Sequence, residues 1–547
     1  MASPEAARYG RLARMFGFAP SATEAPSTRR VWHLCFLAIV LSYLVFVPYF
    51  PALNNPNENS RVYQIRAVVE LGKLSVNEQI RRYGPVNDLA VREGTFYAGK
   101  APATTFIGVP IYAATRWLTD GEPTPLAVLY ALRLFGVIVP CLGFLWWFRR
   151  FARTVTLDDH LATLLTIVLA LGTMFLPYAL IFVNHSLTAA TAFGAMMAAW
   201  RAHSLALRGR RSALGFAAAS GFLLSLTTAL DYALFPISVL LLIYAGHKTR
   251  WLSWSAGCLV LGAALPAGAT AAYHQVCWGS PVKTSLGFLA NPSFAEQHSQ
   301  GVFGIIGPTM DTVTAVLLSP SKGLIYFSPV FALALPLVLL APFGPRLRAE
   351  AWLSAAIVVW MLTYNVSLIN WHAGWTVGPR YVTVITPFVV FSAGLLLGRL
   401  RGRLRRGTCA LFAGLSLASI AATASASVLF PHLNPAFDNP LFENIWPLWR
   451  DAITPLSAGG ELAELRGRAA QLPMLVVLGA SAVAVLLLGA ARFGRWTARS
   501  LRTAVAVGVS GGVLWLASAP RTADTELVKR ANAWIRSDVW HPPLPRR

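Results

Sequence analysis

The chain has 547 residues, 55% of them hydrophobic and only 13% charged, with a mean hydropathy of +0.54. A soluble chain this long would divide into domains with about a quarter of their residues charged, so a soluble globular protein is excluded and an all-α, polytopic membrane protein is expected. The formal charge of +23 does not signal a nucleic-acid partner, because in a membrane chain Lys and Arg first report orientation.

Runs long enough to cross about 30 Å of hydrocarbon lie at 31–50, 125–148, 161–183, 184–201, 212–230, 232–246, 252–272, 325–342, 352–369, 381–399, 408–428, 473–490 and 502–519, thirteen spans in all. The segment 103–118 is short, holds Pro110 and runs into Arg116, and reads as an interfacial helix. With the N-terminus inside, the basic turns after spans two, four, six, eight, ten and twelve all face the cytoplasm, and with the N-terminal arm they hold more than half of the 46 Lys and Arg, as the positive-inside rule requires. A crossing at 103–118 would turn every later basic turn outward. The organisation expected is a cytoplasmic arm 1–30, one transmembrane domain 31–519 with outer loops 51–124, 273–324 and 429–472, and an extracytoplasmic tail 520–547. The first span is too long for a signal-peptide core and has no small-residue cleavage site after it, so it reads as an anchor. Cys35, Cys141, Cys258, Cys277 and Cys409 show no paired spacing and read as packing residues.

The first outer loop opens Asn54-Asn55-Pro56-Asn57-Glu58-Asn59-Ser60-Arg61 and continues with Val62, Ile65, Val68 and Val69 at helical spacing. Glu58 at the membrane edge is either a general base or metal-binding carboxylate, or simply an acid favoured by a helix N-terminus. Further on, Tyr97-Ala98-Gly99-Lys100-Ala101-Pro102 precedes the interfacial helix. Lys100 there either meets a phosphate beside free backbone N–H groups or snorkels among headgroups.

These elements resemble the first periplasmic loop of the GT-C membrane glycosyltransferases, with the closest likeness to the protein O-mannosyltransferases and the lipid A aminoarabinose transferase. The resemblance covers roughly residues 31–200. It implies a hexosyl or pentosyl transferase that moves a sugar from a polyprenyl-phosphate donor to a lipid, glycan or protein acceptor of the envelope, at the outer face of a bacterial cytoplasmic membrane. By the same likeness Glu58 is the catalytic carboxylate, Arg61 the Arg that follows it, and Lys100 the contact to the carrier phosphate. The family's Asp-Glu pair is here Asn57-Glu58 and its Lys-Pro-Pro element is Lys100-Ala101-Pro102, which bears on metal binding; Glu58 and His185 are the candidate ligands if a divalent metal takes part.

Later segments add rim residues. Asn184-His185 open the fourth span, where a His can shuttle a proton or bind metal, or can bond a neighbouring carbonyl. Asp231 occupies a short outer turn as an Arg partner or a hydroxyl acceptor. Lys322, between Ser321 and Gly323 ahead of the eighth span, is a second candidate for donor phosphate. The segment from Asn370 to Tyr381 carries Trp371, His372, Trp375 and Arg380, a sugar-stacking surface beside an anion clamp. Span interiors hold almost no ionisable side chains apart from Arg133. This weighs against the chief alternative, a lipid-carrier flippase or exporter, since transporters place charge near midplane. An O-antigen ligase or polymerase type of glycan transferase would use the same rim cations and differ in its donor.

Overall fold

The computed structural model describes residues 26–49, 55–156, 158–250, 253–344, 347–400, 402–435, 437–452, 456–493 and 526–534. They form an all-α bundle. Nine helices among the described residues are long and apolar enough to cross a membrane: Ser27–Val45, Pro125–Thr156, Ser212–Leu230, Tyr232–Thr249, Trp254–Trp278, Arg348–Val366, Arg380–Leu397, Ala410–Leu429 and Gly467–Gly489. The helix His185–Ala206 joins them in length, since its 22 residues span about 33 Å at 1.5 Å per residue. It is rich in Ala, Thr and Ser and almost wholly buried in the bundle, so its modest hydropathy reflects protein neighbours rather than lipid. The expected thirteenth span, 502–519, and most of the arm 1–30 lie outside the described residues.

Two expected spans are interrupted. Over 161–183 the helix Asp159–Leu171 stops at Gly172, a short turn Phe175–Ala179 follows, and non-helical backbone runs to Val183. Over 325–342, Leu324–Phe327 is separated from Val330–Leu340 by Ser328 and Pro329. Proline removes a backbone donor and opposes continuation, and irregular backbone is tolerated at membrane depth only where protein surrounds it; residues 161–189 are indeed buried without exception.

Helix contacts show why small residues recur. A Cβ on Gly221 would lie 1.8 Å from the Leu259 carbonyl oxygen, and one on Gly262 would lie 2.0 Å from that of Ala218, so the helices Ser212–Leu230 and Trp254–Trp278 touch backbone to backbone. The outer face of the second exposes Trp254, Leu261 and Leu265, a surface suited to lipid. One end of the bundle is tied by Lys248 to Glu350 at 2.7 Å, with Tyr244 donating to the same carboxylate, and by Asp159 beside Arg149 and Arg153. The loops that follow span one, precede span two and join the later helices gather at the other end. There Pro48–Tyr49 pairs with Leu456–Ser457, and the segment 103–118 forms the helix Ala103–Leu118, about 24 Å long.

Candidate active site

Between the first two spans, the sequence Leu89–Ala98 folds as an antiparallel hairpin, Leu89–Arg92 against Thr95–Ala98. Its two turn residues, Glu93 and Gly94, both have positive φ, the geometry that suits a tight hairpin. This register brings the ends of the strands together: the Gly99 N–H donates to the Asp88 carbonyl at 2.9 Å, and the Lys100 ammonium meets the Asp88 carboxylate at 2.9 Å. A Cβ on Gly99 would lie 2.9 Å from that same carbonyl oxygen, so the crossing admits only glycine. Burial raises the Asp88 carboxyl, but Lys100, Arg380 and Arg61 together hold it below the usual carboxylate range.

The helix Pro56–Leu71 begins with an Asn55 cap and proline in its first turn, which fixes where Glu58 and Arg61 emerge. Glu58 is 1% exposed. Its Oε1 accepts from Arg133 Nε at 2.9 Å and from the Phe182 N–H at 2.7 Å, and its Oε2 accepts from Arg133 Nη2 at 2.8 Å. The Phe182 N–H is available because the helix of the third segment has already ended. Burial opposes ionisation of Glu58, yet Arg133 and these hydrogen bonds bring its carboxyl below the ordinary value.

One turn on, Arg61 reaches the same segment at Asn184. Its Nη1 donates to the Asn57 carbonyl at 2.8 Å and its Nη2 to Asn184 Oδ1 at 3.1 Å. Asn184 in turn donates through Nδ2 to Asp231 Oδ2 at 2.9 Å, so one amide joins a cation to an acid. Asp231 Oδ1 accepts from the Ala233 N–H at 3.2 Å. Burial pushes the Asp231 carboxyl above its usual range, against the pull of these two donors and of Arg61 and Lys100. Burial likewise brings the Arg61 guanidinium down to about 10, with Asp88 and Asp231 supporting its charge and Arg380 opposing it.

Arg380 opens the helix Arg380–Leu397, its guanidinium 5.4 Å from the Tyr381 ring, and its Nε is buried with no hydrogen-bond partner. It lies within the electrostatic reach of Asp88, Arg61 and His185. The His185 ring is 5.2 Å from Tyr178 and 6.4 Å from Tyr381, and its Nε2 is buried without a partner. Just before Arg380, the His372 Nδ1 accepts from the Gly374 N–H at 3.0 Å, Trp371 packs against His372, and Trp375 is 44% exposed.

Most of the residues singled out from sequence thus meet: Arg61, Lys100, His185, Asp231 and Arg380 act on one another electrostatically, with Trp371, His372 and Trp375 on the loop that leads to Arg380. Two side chains sit differently from the expectation. Both Glu58 oxygens are held by Arg133 and a backbone N–H inside the protein, and a carboxylate so stabilised is a weaker proton acceptor than a free one. Lys322 is not a rim cation: it is fully buried, and its Nζ donates to the carbonyls of Gly374, Thr376 and Leu433 at 2.9, 2.6 and 3.0 Å and to Thr376 Oγ1 at 3.2 Å. The donor set does not fit a divalent ion shared by Glu58 and His185. The carboxylate is spent on Arg133, and among the described residues no three of His, Cys, Asp and Glu gather.

Sequence reasoning missed Asp88, whose signal was the alternation on either side of Glu93-Gly94, and missed the destination of Arg133. An arginine alone in a span requires a partner, and Glu58 is that partner.

No protein-family model and no curated protein matches the chain. Among solved structures, the chain is similar to the archaeal oligosaccharyltransferase AglB from Archaeoglobus fulgidus in complex with an inhibitory peptide and a dolichol-phosphate, at 12% identity and a TM-score of 0.44, covering 82% of this chain and 60% of that one. It is also similar to ArnT from Cupriavidus metallidurans in the apo state, at 17% identity and a TM-score of 0.46, over 87% of this chain and 76% of that one. The same protein bound to undecaprenyl phosphate gives 16% identity and 0.46, over 87% and 77%. The chain therefore spans about three fifths of the length of the archaeal structure.

Proposed function

We propose that this protein is a membrane glycosyltransferase that moves a sugar from a polyprenyl-phosphate donor to an envelope acceptor, at the extracytoplasmic ends of its helices. The observation that carries the reading is the convergence of three cations, Arg61, Lys100 and Arg380, with two carboxylates, Asp88 and Asp231, at one end of a bundle of apolar helices. A lipid-linked donor has matching needs: cations at headgroup depth for its phosphate, and an apolar path between helices for its tail.

In this reading Lys100 and Arg380 hold the donor phosphate, Arg380 with the buried Nε–H that has no partner in the protein, and Arg61 adds positive potential. Asp88 keeps Lys100 oriented. Asp231 is the base. Burial raises its pKa, which makes its carboxylate a stronger base than an ordinary Asp, and it is fixed by Asn184 and Ala233. The acceptor hydroxyl gives its proton to the Asp231 carboxylate while its oxygen forms a bond to the anomeric carbon. The bond from that carbon to the phosphate oxygen breaks, and its electron pair leaves with the polyprenyl phosphate. A single displacement of this kind inverts the anomeric centre. Trp371 and Trp375 supply flat surfaces on which a sugar ring can stack.

Mass spectrometry of envelope lipids and glycans from a deletion strain tests this. A sugar-sized mass should vanish on deletion, return with the wild-type chain and stay absent with Asp231→Asn. Full restoration by Asp231→Asn removes it as the base, and an unchanged profile on deletion removes the transferase reading.

A further inference from the structure

Lys322 remains without a role in this scheme, yet it is an unusual group. Its ammonium is fully buried, every atom it bonds is a neutral oxygen, and the charge acting on it is that of Arg380. An interior cation held only by neutral oxygens is costly, and the charge of Arg380 acting on it adds a repulsion that an anion beside Arg380 relieves.

We propose that Lys322 is a positioning residue that sets the affinity of the site for a phosphate-bearing lipid, by pinning the loop Trp371–Arg380 so that the Arg380 guanidinium faces the anion. The inference rests on the anion site proposed above. Its acceptors lie on two segments, Gly374 and Thr376 on the loop and Leu433 beyond a later helix, and the Thr376 N–H also donates to Leu433 at 3.0 Å. From Thr376 to Arg380 the backbone has little freedom. Tyr178 donates to the Val377 carbonyl at 2.6 Å, and Gly378 has φ of +58° with the Met174 sulfur 2.5 Å from where a Cβ would sit. Displacement at Thr376 therefore moves Arg380. The lysine is itself fixed: its N–H donates to Ser319 Oγ at 3.1 Å, in a turn where a Cβ on Gly323 would lie 2.4 Å from the Ser319 carbonyl oxygen.

The test uses the full chain in nanodiscs, with undecaprenyl phosphate and neutral undecaprenol as probes. Lys322→Met should weaken undecaprenyl phosphate binding about 10- to 100-fold, the range for losing a charge-assisted bond, and leave undecaprenol binding unchanged. In an Arg380→Met background the same substitution should have no further effect on the phosphate probe, because the two residues act in series. Additive losses, or equal losses for both lipids, overturn the proposal. If Lys322→Met does not fold, Thr376→Val removes one acceptor and should lower phosphate affinity about 3- to 10-fold with the same selectivity; unchanged affinity overturns it. A wild-type chain that does not prefer the phosphate over the alcohol sinks the proposed function itself. A preference that is as large in Lys322→Met as in the wild type sinks only the role of the lysine.

Discussion

Replacing Glu58 by Gln separates structure from chemistry in the first outer loop. The side chains of Glu58 and Arg133 are 1% and 2% exposed, and the carboxylate accepts three hydrogen bonds of 2.7 to 2.9 Å. An amide keeps one oxygen, which can still serve the Phe182 N–H, but it turns an N–H group toward the guanidinium and leaves Arg133 charged without a counter-ion. Breaking a buried pair in this way costs about 3–5 kcal/mol, whereas replacing both partners by groups of similar size is often close to neutral. Glu58→Gln should therefore lose about 3–5 kcal/mol of stability in a denaturant titration of the purified protein in mixed micelles, and Glu58→Gln with Arg133→Met should recover most of it. The sign with pH follows from the lowered carboxyl of Glu58. Its contribution is fully present above the unfolded value, about 4.3, and fades as pH falls through the lower folded value, so the single variant should lack this acid limb. Turnover of the single variant, measured where it is still folded, should fall far less than that of Asp231→Asn. If Glu58→Gln is as stable as wild type to within about 1 kcal/mol and loses turnover more than about 100-fold, then Glu58 takes part in the reaction and the ion pair is incidental.

Asp231→Asn should cut turnover about 10²- to 10⁴-fold. Because the folded carboxyl is raised, its ionised form opposes folding at neutral pH, so the variant should melt higher than wild type at pH 7 and equally at pH 3. Wild-type turnover should accordingly rise with pH through a value above the usual Asp range. Lys100→Ala should lower the melting temperature at pH 7, since it leaves the Asp88 carboxylate, 12% exposed, without its nearest cation, while weakening undecaprenyl phosphate binding about 10-fold or more. Gly99→Ala should force the base of the hairpin apart and cost about 1–3 kcal/mol; unchanged stability and lipid affinity would refute the close approach to Asp88.

Much of the molecule was legible in one dimension. Hydropathy located the apolar helices, because about 30 Å of hydrocarbon demands a long apolar run wherever it is crossed. The rim residues Arg61, Lys100, His185, Asp231 and Arg380 stood out as polar groups beside apolar runs, and the fold gathers them.

What sequence could not supply was which group satisfies which. Glu58 and Lys322 look alike in one dimension, each a charge at the mouth of a helix, yet the bundle spends the hydrogen bonds of both on partners inside the protein. Glu58 goes to an arginine 75 positions away and Lys322 to carbonyls 52 to 111 positions away. The reverse holds for Asp88, unremarkable in the sequence until a hairpin register sets it against Lys100. The physical reason is common to all three. The tendency to enter a membrane belongs to each segment and is additive along the chain. The availability of a charge depends on the atoms that surround it, and only packing of distant segments decides whether a carboxylate or ammonium is spent inside the protein or left for a substrate.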